Sequence, residues 1–373
     1  MSRAHPLLLA ALSATLSTAV LPVHASEHAP LIVGTWGGAY ESIQRKVLFD
    51  PFTSRTGIPV KTVALSDPLA TLRDAASSNG GLMLADLPDA DADAACAEHL
   101  NDSLDVSFYD RGNGATDSQS SDFLVPPTPC GIPSTVTGEV LVYATDAFGA
   151  NTPSRVTDIF DLAKFPGKRA LKRDAMGTFE WALLADGVAP GEVYNVLATP
   201  EGIKRVFAKL DSIRAVTQWW DRGDVPLTWL ARGDVTMAAA YSPWAYQAIV
   251  GEHLPLAIVW SGALTSANRW IIVKGQSEDP AAREFIKFAT DTARLAEFGR
   301  ATPYGAARNS AAQMITPEMA DYSPTTSEHL ASEMPIDVKF WRERGNALRQ
   351  RFETWLQATS TSQVPADQSA SKE

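Results

Sequence analysis

The stretch Leu31-Ile32-Val33-Gly34-Thr35-Trp36-Gly37-Gly38-Ala39-Tyr40 decides the fold. Its apolar first half is typical of a strand, and the adjacent glycines mark a tight turn. The helix that follows has one apolar face, formed by Ile43, Val47, Leu48 and Phe52. A second strand is expected at residues 58–63. A strand, a helix and a strand in close succession predict a βαβ unit and therefore a parallel sheet.

The same alternation continues along the chain. Further strands are predicted at residues 81–86, 139–144, 169–172, 235–241, 254–260 and 270–274, and the clearest later helices at residues 200–210 and 280–299. Alternating strands and helices predict an α/β architecture. A chain of 373 residues is long enough for two lobes, each with its own core.

The two ends of the chain have a different character. Residues 1–25 combine a basic start, an apolar stretch at residues 7–20 and small residues before Ser26, which is the pattern of a cleaved signal peptide. The alternative is a membrane anchor, but the apolar stretch is shorter than a bilayer span. We therefore expect export to the periplasm. Residues 359–373 are rich in Ser, Gln, Asp and Lys and are predicted to be a disordered tail.

Composition and motifs narrow the function. The formal net charge is −11, which disfavours nucleic acid as a partner. No nucleophile elbow, phosphate-binding loop or zinc-binding His pair is present in the sequence. The sequence therefore predicts neither catalysis nor a metal or cofactor. Cys96 and Cys130 are expected to form a disulfide in an oxidising compartment.

Aromatic residues follow several of the predicted strands. Trp36, Trp220, Tyr241 with Trp244, and Trp270 all lie at or next to a strand end. Ligands bind at the carboxyl ends of strands in open α/β sheets, and aromatic rings can contact methylene chains or cations there. Any single tryptophan could instead fill a core.

Two carboxylates lie near these strand ends. Asp89 follows the strand predicted at residues 81–86, and Glu180 starts a helix. Both positions allow a second interpretation, because acidic residues also stabilise helix N-termini.

A resemblance to a known family extends these observations. The opening stretch, together with Phe165-Pro166-Gly167-Lys168-Arg169, Ala185-Asp186-Gly187-Val188-Ala189-Pro190 and Pro303-Tyr304-Gly305, resembles polyamine-type (putrescine/spermidine) substrate-binding proteins of ABC importers. The resemblance implies the type II periplasmic binding protein fold, with mixed sheets flanked by helices in two lobes that close about a hinge. By this likeness, residues 26–136 and 268–313 form lobe 1, and residues 137–267 and 314–358 form lobe 2.

The resemblance also implies roles for individual residues. Aromatic residues of such proteins enclose the methylene chain of the ligand, and acidic residues bind its ammonium groups. The ligand-binding set predicted in this way from the resemblance and the strand ends is Trp36, Tyr40, Asp89, Glu180, Trp220, Tyr241, Trp244, Asn268, Trp270 and Tyr304. Among these, Glu180 is the expected ammonium partner.

One departure from the family pattern bears on the ligand. Asn268 and Arg269 stand where polyamine binders usually have an aspartate before the returning strand. An amide supplies no charge to an ammonium group, and Arg269 would repel a cation if its side chain faced the cleft. We expect a monomer that binds a polyamine or a related amine and delivers it to an inner-membrane ABC permease. The alternatives are the same transport role for a neutral or zwitterionic solute and, more remotely, an enzyme on this scaffold.

Overall fold

The computed structural model describes residues 28–78, 81–110, 122–277 and 279–360. The predicted signal peptide and residues 361–373 of the predicted tail lie outside these ranges. Across the described ranges, ten strands form a single mixed sheet flanked by helices. The strands are β1 Leu31–Thr35, β2 Val60–Ala64, β3 Leu84–Pro88, β4 Ile132–Ala144, β5 Arg169–Lys172, β6 Thr217–Trp220, β7 Met237–Tyr241, β8 Leu256–Ile272, β9 Gly305–Ala306 and β10 Met334–Pro335.

The helices flank this sheet along the whole described chain. They are α1 Gly38–Gln44, α2 Asp50–Thr56, α3 Pro68–Ser78, α4 Asp89–Ala97, α5 Val106–Asp110, α6 Ala175–Ala185, α7 Val193–Leu197, α8 Pro200–Asp211, α9 Val225–Ala231, α10 Ser242–Tyr246, α11 Pro280–Ala289, α12 Thr292–Ala301, α13 Asn309–Ala312, α14 Pro317–Ala320, α15 Ser327–Leu330 and α16 Val338–Ser360. Among the described residues, no helix has the length and apolar character needed to cross a bilayer.

Two long strands connect the lobes. The sheet order is β2-β1-β3-β8-β4-β7-β5-β6, with β8 and β4 antiparallel in the middle. The set β2-β1-β3 is parallel and belongs to lobe 1, and the set β7-β5-β6 is parallel and belongs to lobe 2. The predicted two-lobe α/β fold is thereby confirmed. The lobe boundaries at single residues stay a prediction.

The cores of the two lobes meet along these strands. Ile132 on β4 and Trp270 on β8 pack in the lobe 1 core, whereas Val140 and Leu264 on the same strands pack in the lobe 2 core. Between them, the pairing of β4 with β8 shifts register twice, after Pro133 and after Glu139. Because irregular pairing has fewer hydrogen bonds between the two strands, this part of the sheet can bend more easily and is suited to act as a hinge.

Two predicted boundaries change in the structure. The strands predicted at residues 254–260 and 270–274 are parts of the single strand β8, because the polar residues between them pass through the lobe crossing. The helix predicted at residues 280–299 is two helices, α11 and α12. The break lies at Asp291, whose side chain accepts a hydrogen bond from the Ala293 backbone N–H at 2.9 Å and caps α12.

Helix α16 adds a contact between the lobes. It packs on α6 of lobe 2, and from its N-terminal half Arg342 forms an ion pair of 2.7 Å with Asp93 on α4 of lobe 1. On the lobe 1 side, a disulfide joins Cys96 in α4 to Cys130 ahead of β4, as predicted, with 5.5 Å between the Cα atoms.

Candidate functional site in the interlobe cleft

The strand register places the candidate site. Pro88, at the carboxyl end of β3, lies opposite Asn268 on β8, so β3 points from lobe 1 toward the crossing. Tyr241, at the carboxyl end of β7, lies opposite Glu139 on β4, so β7 points from lobe 2 toward the same crossing. The carboxyl ends of both parallel sets therefore face each other across the hinge. This is where open α/β sheets bind ligands.

The lobe 1 side of the site follows β1. Gly37 and Gly38 have φ angles of 74° and 57°, a conformation that favours glycine, and they turn the chain sharply from β1 into α1. The turn leaves the Trp36 side chain exposed at the strand end. Tyr40, one turn later, is buried, and its ring lies 4.8 Å from that of Tyr304 between ring centres. The predicted lobe 1 aromatic residues Tyr40 and Tyr304 are thus brought together.

A buried carboxylate that the sequence analysis missed lies below these rings. Asp86 on β3 accepts hydrogen bonds from Tyr40 Oη at 2.5 Å, Gln44 Nε2 at 2.9 Å and Ser134 Oγ at 2.8 Å. Burial raises the pKa of Asp86 to about 6. The signal available in the sequence was an acidic residue inside an otherwise apolar strand, which requires internal donors. Asp86 positions Tyr40 and, through it, Tyr304.

Asp89 is already paired within the protein. Its carboxylate forms an ion pair with Arg269, whose guanidinium also donates to the backbone oxygens of Pro126 at 3.0 Å and Gly131 at 3.2 Å. The charge of Arg269 is therefore neutralised inside lobe 1. Asn268 is nearly buried, and its side chain makes no hydrogen bond within the part of the chain that the structure describes.

The lobe 2 side of the site gathers at the ends of β5, β6 and β7. Tyr241 packs edge-on against Trp220 with 5.9 Å between ring centres, and the Lys172 Nζ lies 5.4 Å from the centre of the Tyr241 ring. Trp220 is almost fully buried, so its ring supports Tyr241 from below. Trp244 lies in α10, just after β7, and is 48% exposed. Lobe 2 therefore offers Tyr241 and Trp244 as accessible rings.

A second carboxylate that was not predicted lies beside Tyr241. Glu139 on β4 is only 5% exposed. Burial raises its pKa to about 7, although the nearby Lys172 ammonium opposes this shift. Its oxygens lie so close to Gly177 that a Cβ atom there would be 2.6 Å from Oε2. Gly177 also has a φ of 91°, so this break in α6 requires glycine for both reasons.

Glu180 is fully buried in lobe 2. Its Oε2 accepts from the Gly177 backbone N–H at 2.9 Å, and its Oε1 accepts from Tyr194 Oη at 3.0 Å and Trp341 Nε1 at 2.6 Å. Burial raises the pKa of Glu180 to about 6. The carboxylate therefore joins α6, α7 and α16. Its predicted role as an ammonium partner stays a prediction.

Trp270 is buried in the lobe 1 core, where it lines the same small cavity as Tyr40 and Asp86. Its ring packs edge-on against Phe285 of α11, with 5.2 Å between ring centres, and only 1% of the residue is exposed. Trp270 lies opposite Asp86 in the register of β3 with β8, so the two side chains share one face of the sheet, and Arg269 points to the other face.

This fold and this cleft are those of a binding protein. Residues 47–325 match the family of bacterial extracellular solute-binding proteins, and the chain belongs to that family. A gamma-aminobutyric acid (GABA)-binding protein of Pseudomonas aeruginosa is 34% identical over 327 residues, which cover 87% of this chain and 90% of that protein.

Solved structures agree with the fold. An ABC transporter substrate-binding protein from Bradyrhizobium japonicum superposes with a TM-score of 0.77 at 25% identity, covering 88% of this chain and 99% of that chain. The Atu4243 GABA receptor superposes with a TM-score of 0.72 at 25% identity, covering 88% and 98%. The resemblance found in the sequence is thus confirmed for the solute-binding family. The polyamine ligand stays a prediction.

Proposed function

We propose that the chain is the substrate-binding component of an ABC importer and that it captures a small amine-bearing solute between its lobes. The observation that carries this proposal is that aromatic residues lie on both sides of the hinge. In lobe 1, Trp36 follows β1 and the Tyr40 and Tyr304 rings pack together. In lobe 2, Tyr241 ends β7 and Trp244 follows it in α10. Rings on both sides suit a short methylene chain that carries an ammonium group. The similarity to a GABA-binding protein supports the same class of solute.

Capture by this arrangement needs no covalent step. A ligand that contacts one lobe in the open form and both lobes in the closed form shifts the equilibrium toward closure by the difference in its affinity for the two forms. The irregular pairing of β4 with β8 provides the hinge. The closed monomer would then deliver its solute to the inner-membrane permease.

Two solutes represent the two ligand chemistries that this cleft could accept. GABA is a zwitterion, and two of the similar proteins are named for binding it. Putrescine is a dication, the kind of solute that the resemblance to polyamine-binding proteins implies. Isothermal titration calorimetry of the purified protein with GABA, putrescine, spermidine and butyrate tests the proposal. We expect saturable binding of an amine and none of butyrate. Absence of heat with every amine at tens of micromolar protein would refute capture of this class of solute.

The proposal includes export. Residues 1–25 would act as a signal peptide and be removed, placing the mature chain in the periplasm. The intact mass of the protein from a periplasmic fraction should match a chain that begins at Ser26. A mass that retains Met1 would refute cleavage.

A further inference from the structure

Lys172 has the surroundings of a bound ligand ammonium. It is the last residue of β5, and its Nζ lies 5.4 Å from the centre of the Tyr241 ring and 3.6 Å from Asp174 Oδ2. An aromatic face combined with a carboxylate is the usual protein site for an ammonium group. In this cleft, the ammonium group belongs to the protein itself. The lysine side chain is 16% exposed, and it stands at the carboxyl end of β5, on the same side of lobe 2 as Tyr241.

The charges around Lys172 are already balanced. Burial acts to lower the pKa of Lys172, but Tyr241, Glu139 and Asp174 outweigh burial and hold that pKa above its ordinary value. Asp174 is shared with Arg349, which donates to it at 2.9 Å. Two cations thus face two carboxylates, and one of these, Glu139, is only partly charged at neutral pH because burial raises its pKa to about 7. A second ammonium from a ligand would gain no net attraction here and would meet the like charge of Lys172 at close range.

The remaining carboxylate nearby does not change this balance. Glu180 lies within electrostatic range of Glu139, but both of its oxygens accept hydrogen bonds from Gly177, Tyr194 and Trp341. It has no exposed surface. The lobe 2 side therefore presents Lys172 as its accessible charged donor beside the Tyr241 ring.

We infer that Lys172 determines the ligand class: its ammonium fills the amine subsite of lobe 2, so the ligand carries one ammonium group and places a carboxylate against Lys172. The inference rests on the proposed function and selects ω-amino acids over diamines. The ligand ammonium is then left to lobe 1, where Tyr304 lies within electrostatic range of the buried Asp86 carboxylate and Trp36 is exposed at the end of β1. Because this arrangement places the ligand ammonium near Asp86, the amide at Asn268 does not need to supply a negative charge.

The experiment compares Lys172→Met with the unchanged protein by calorimetry, using GABA, putrescine and 4-aminobutan-1-ol. In the unchanged protein, GABA should bind at least ten-fold more tightly than the amino alcohol, in which a neutral hydroxymethyl group replaces the carboxylate. Lys172→Met should weaken GABA binding by roughly ten- to hundred-fold, the usual value of a charge-assisted hydrogen bond. It should also strengthen putrescine binding, because the amine subsite is then vacant.

Two control variants accompany this comparison. Lys168→Met removes an exposed lysine just before the opposite end of β5 and should leave all three affinities unchanged. Lys172→Arg keeps the charge and should keep the preference for GABA. Circular dichroism and a thermal melt establish that each variant is folded. If Lys172→Met fails to fold, Lys172→Arg and the comparison of GABA with the amino alcohol still test the inference.

The outcomes separate the inference from the proposed function. If the unchanged protein binds GABA, but Lys172→Met binds both GABA and putrescine as the unchanged protein does, the inference is overturned and the transport role stands. A preference of the unchanged protein for putrescine over GABA also overturns it. If the unchanged protein binds none of the three amines, the proposed function itself fails.

Discussion

Replacing Glu139 by Gln should remove a defined part of the pH dependence of stability. The carboxylate is 5% exposed in the folded chain, and burial raises its pKa to about 7. In the unfolded chain, a glutamate has a pKa of about 4.3. Because the pKa is higher in the folded state, the contribution of Glu139 to stability is full below the unfolded pKa and is lost as the pH rises through 7.

The magnitude follows from these two pKa values. Between pH 5 and pH 8, Glu139 alone should lower the free energy of unfolding by about 2 to 3 kcal/mol. The amide side chain of the Glu139→Gln variant stays neutral throughout, so the difference between the two pH values should shrink by that amount. Urea titrations followed by circular dichroism at pH 5 and pH 8 measure it. Glu201→Gln, at a side chain that is 74% exposed, serves as the control and should behave like the unchanged protein.

If Glu139→Gln and the unchanged protein lose the same free energy of unfolding between the two pH values, Glu139 does not titrate as a buried group. A loss in stability of the variant at both pH values, with the pH dependence retained, would instead show that the carboxylate acts only by packing.

Three further changes test other contacts. Asp86→Asn places an amide N–H against at least one of the three donors around that carboxylate. Thermal denaturation should therefore show a loss of about 1 to 3 kcal/mol in the free energy of unfolding. An unchanged melting temperature would contradict this hydrogen-bond network. Replacing Cys96 and Cys130 together by Ser should cost about 4 kcal/mol in urea titrations through the greater entropy of the unfolded chain, and equal stability would refute the pairing. Arg342→Ala removes a partly exposed ion pair with Asp93, so a thermal melt should show less than about 1 kcal/mol of change; a larger loss would mean that the interlobe contact depends on more than this pair.

The fold could be predicted because its signals are local. The strand, double-glycine turn and helix that begin at Leu31 form as expected, because apolar periodicity and turn residues act over a few positions. The length of β8 could not be predicted in this way. Its middle crosses between the two lobes, where polar residues and Gly262, with a φ of 84°, interrupt the apolar pattern.

The candidate site was only partly predictable for a related reason. Trp36 and Tyr241 could be proposed from their places at strand ends, since a strand end is visible in the sequence, and Tyr304 from the resemblance to the family. The buried carboxylates Asp86 and Glu139 were missed, because their environment is made by strands and helices that are distant along the chain. Sequence alone shows that a residue is acidic, but not which donors reach it.

For Glu180, the two interpretations left open by the sequence were the helix terminus and the ligand. The structure adds a third function, because Tyr194 and Trp341 donate to its carboxylate from α7 and α16. A charged group that is enclosed by three internal donors contributes to the uniqueness of the packing around it. Such a contribution depends on tertiary contacts and leaves no periodic signal in the sequence.

A crystal structure of the exported protein grown with GABA would show directly whether a solute binds between the lobes. We expect electron density for one molecule there, with its chain between Trp36 and Tyr241 and its carboxylate within hydrogen-bonding distance of Lys172 Nζ. Density for GABA on the outer surface of a single lobe, or a closed cleft in which these side chains touch no ligand, would contradict it.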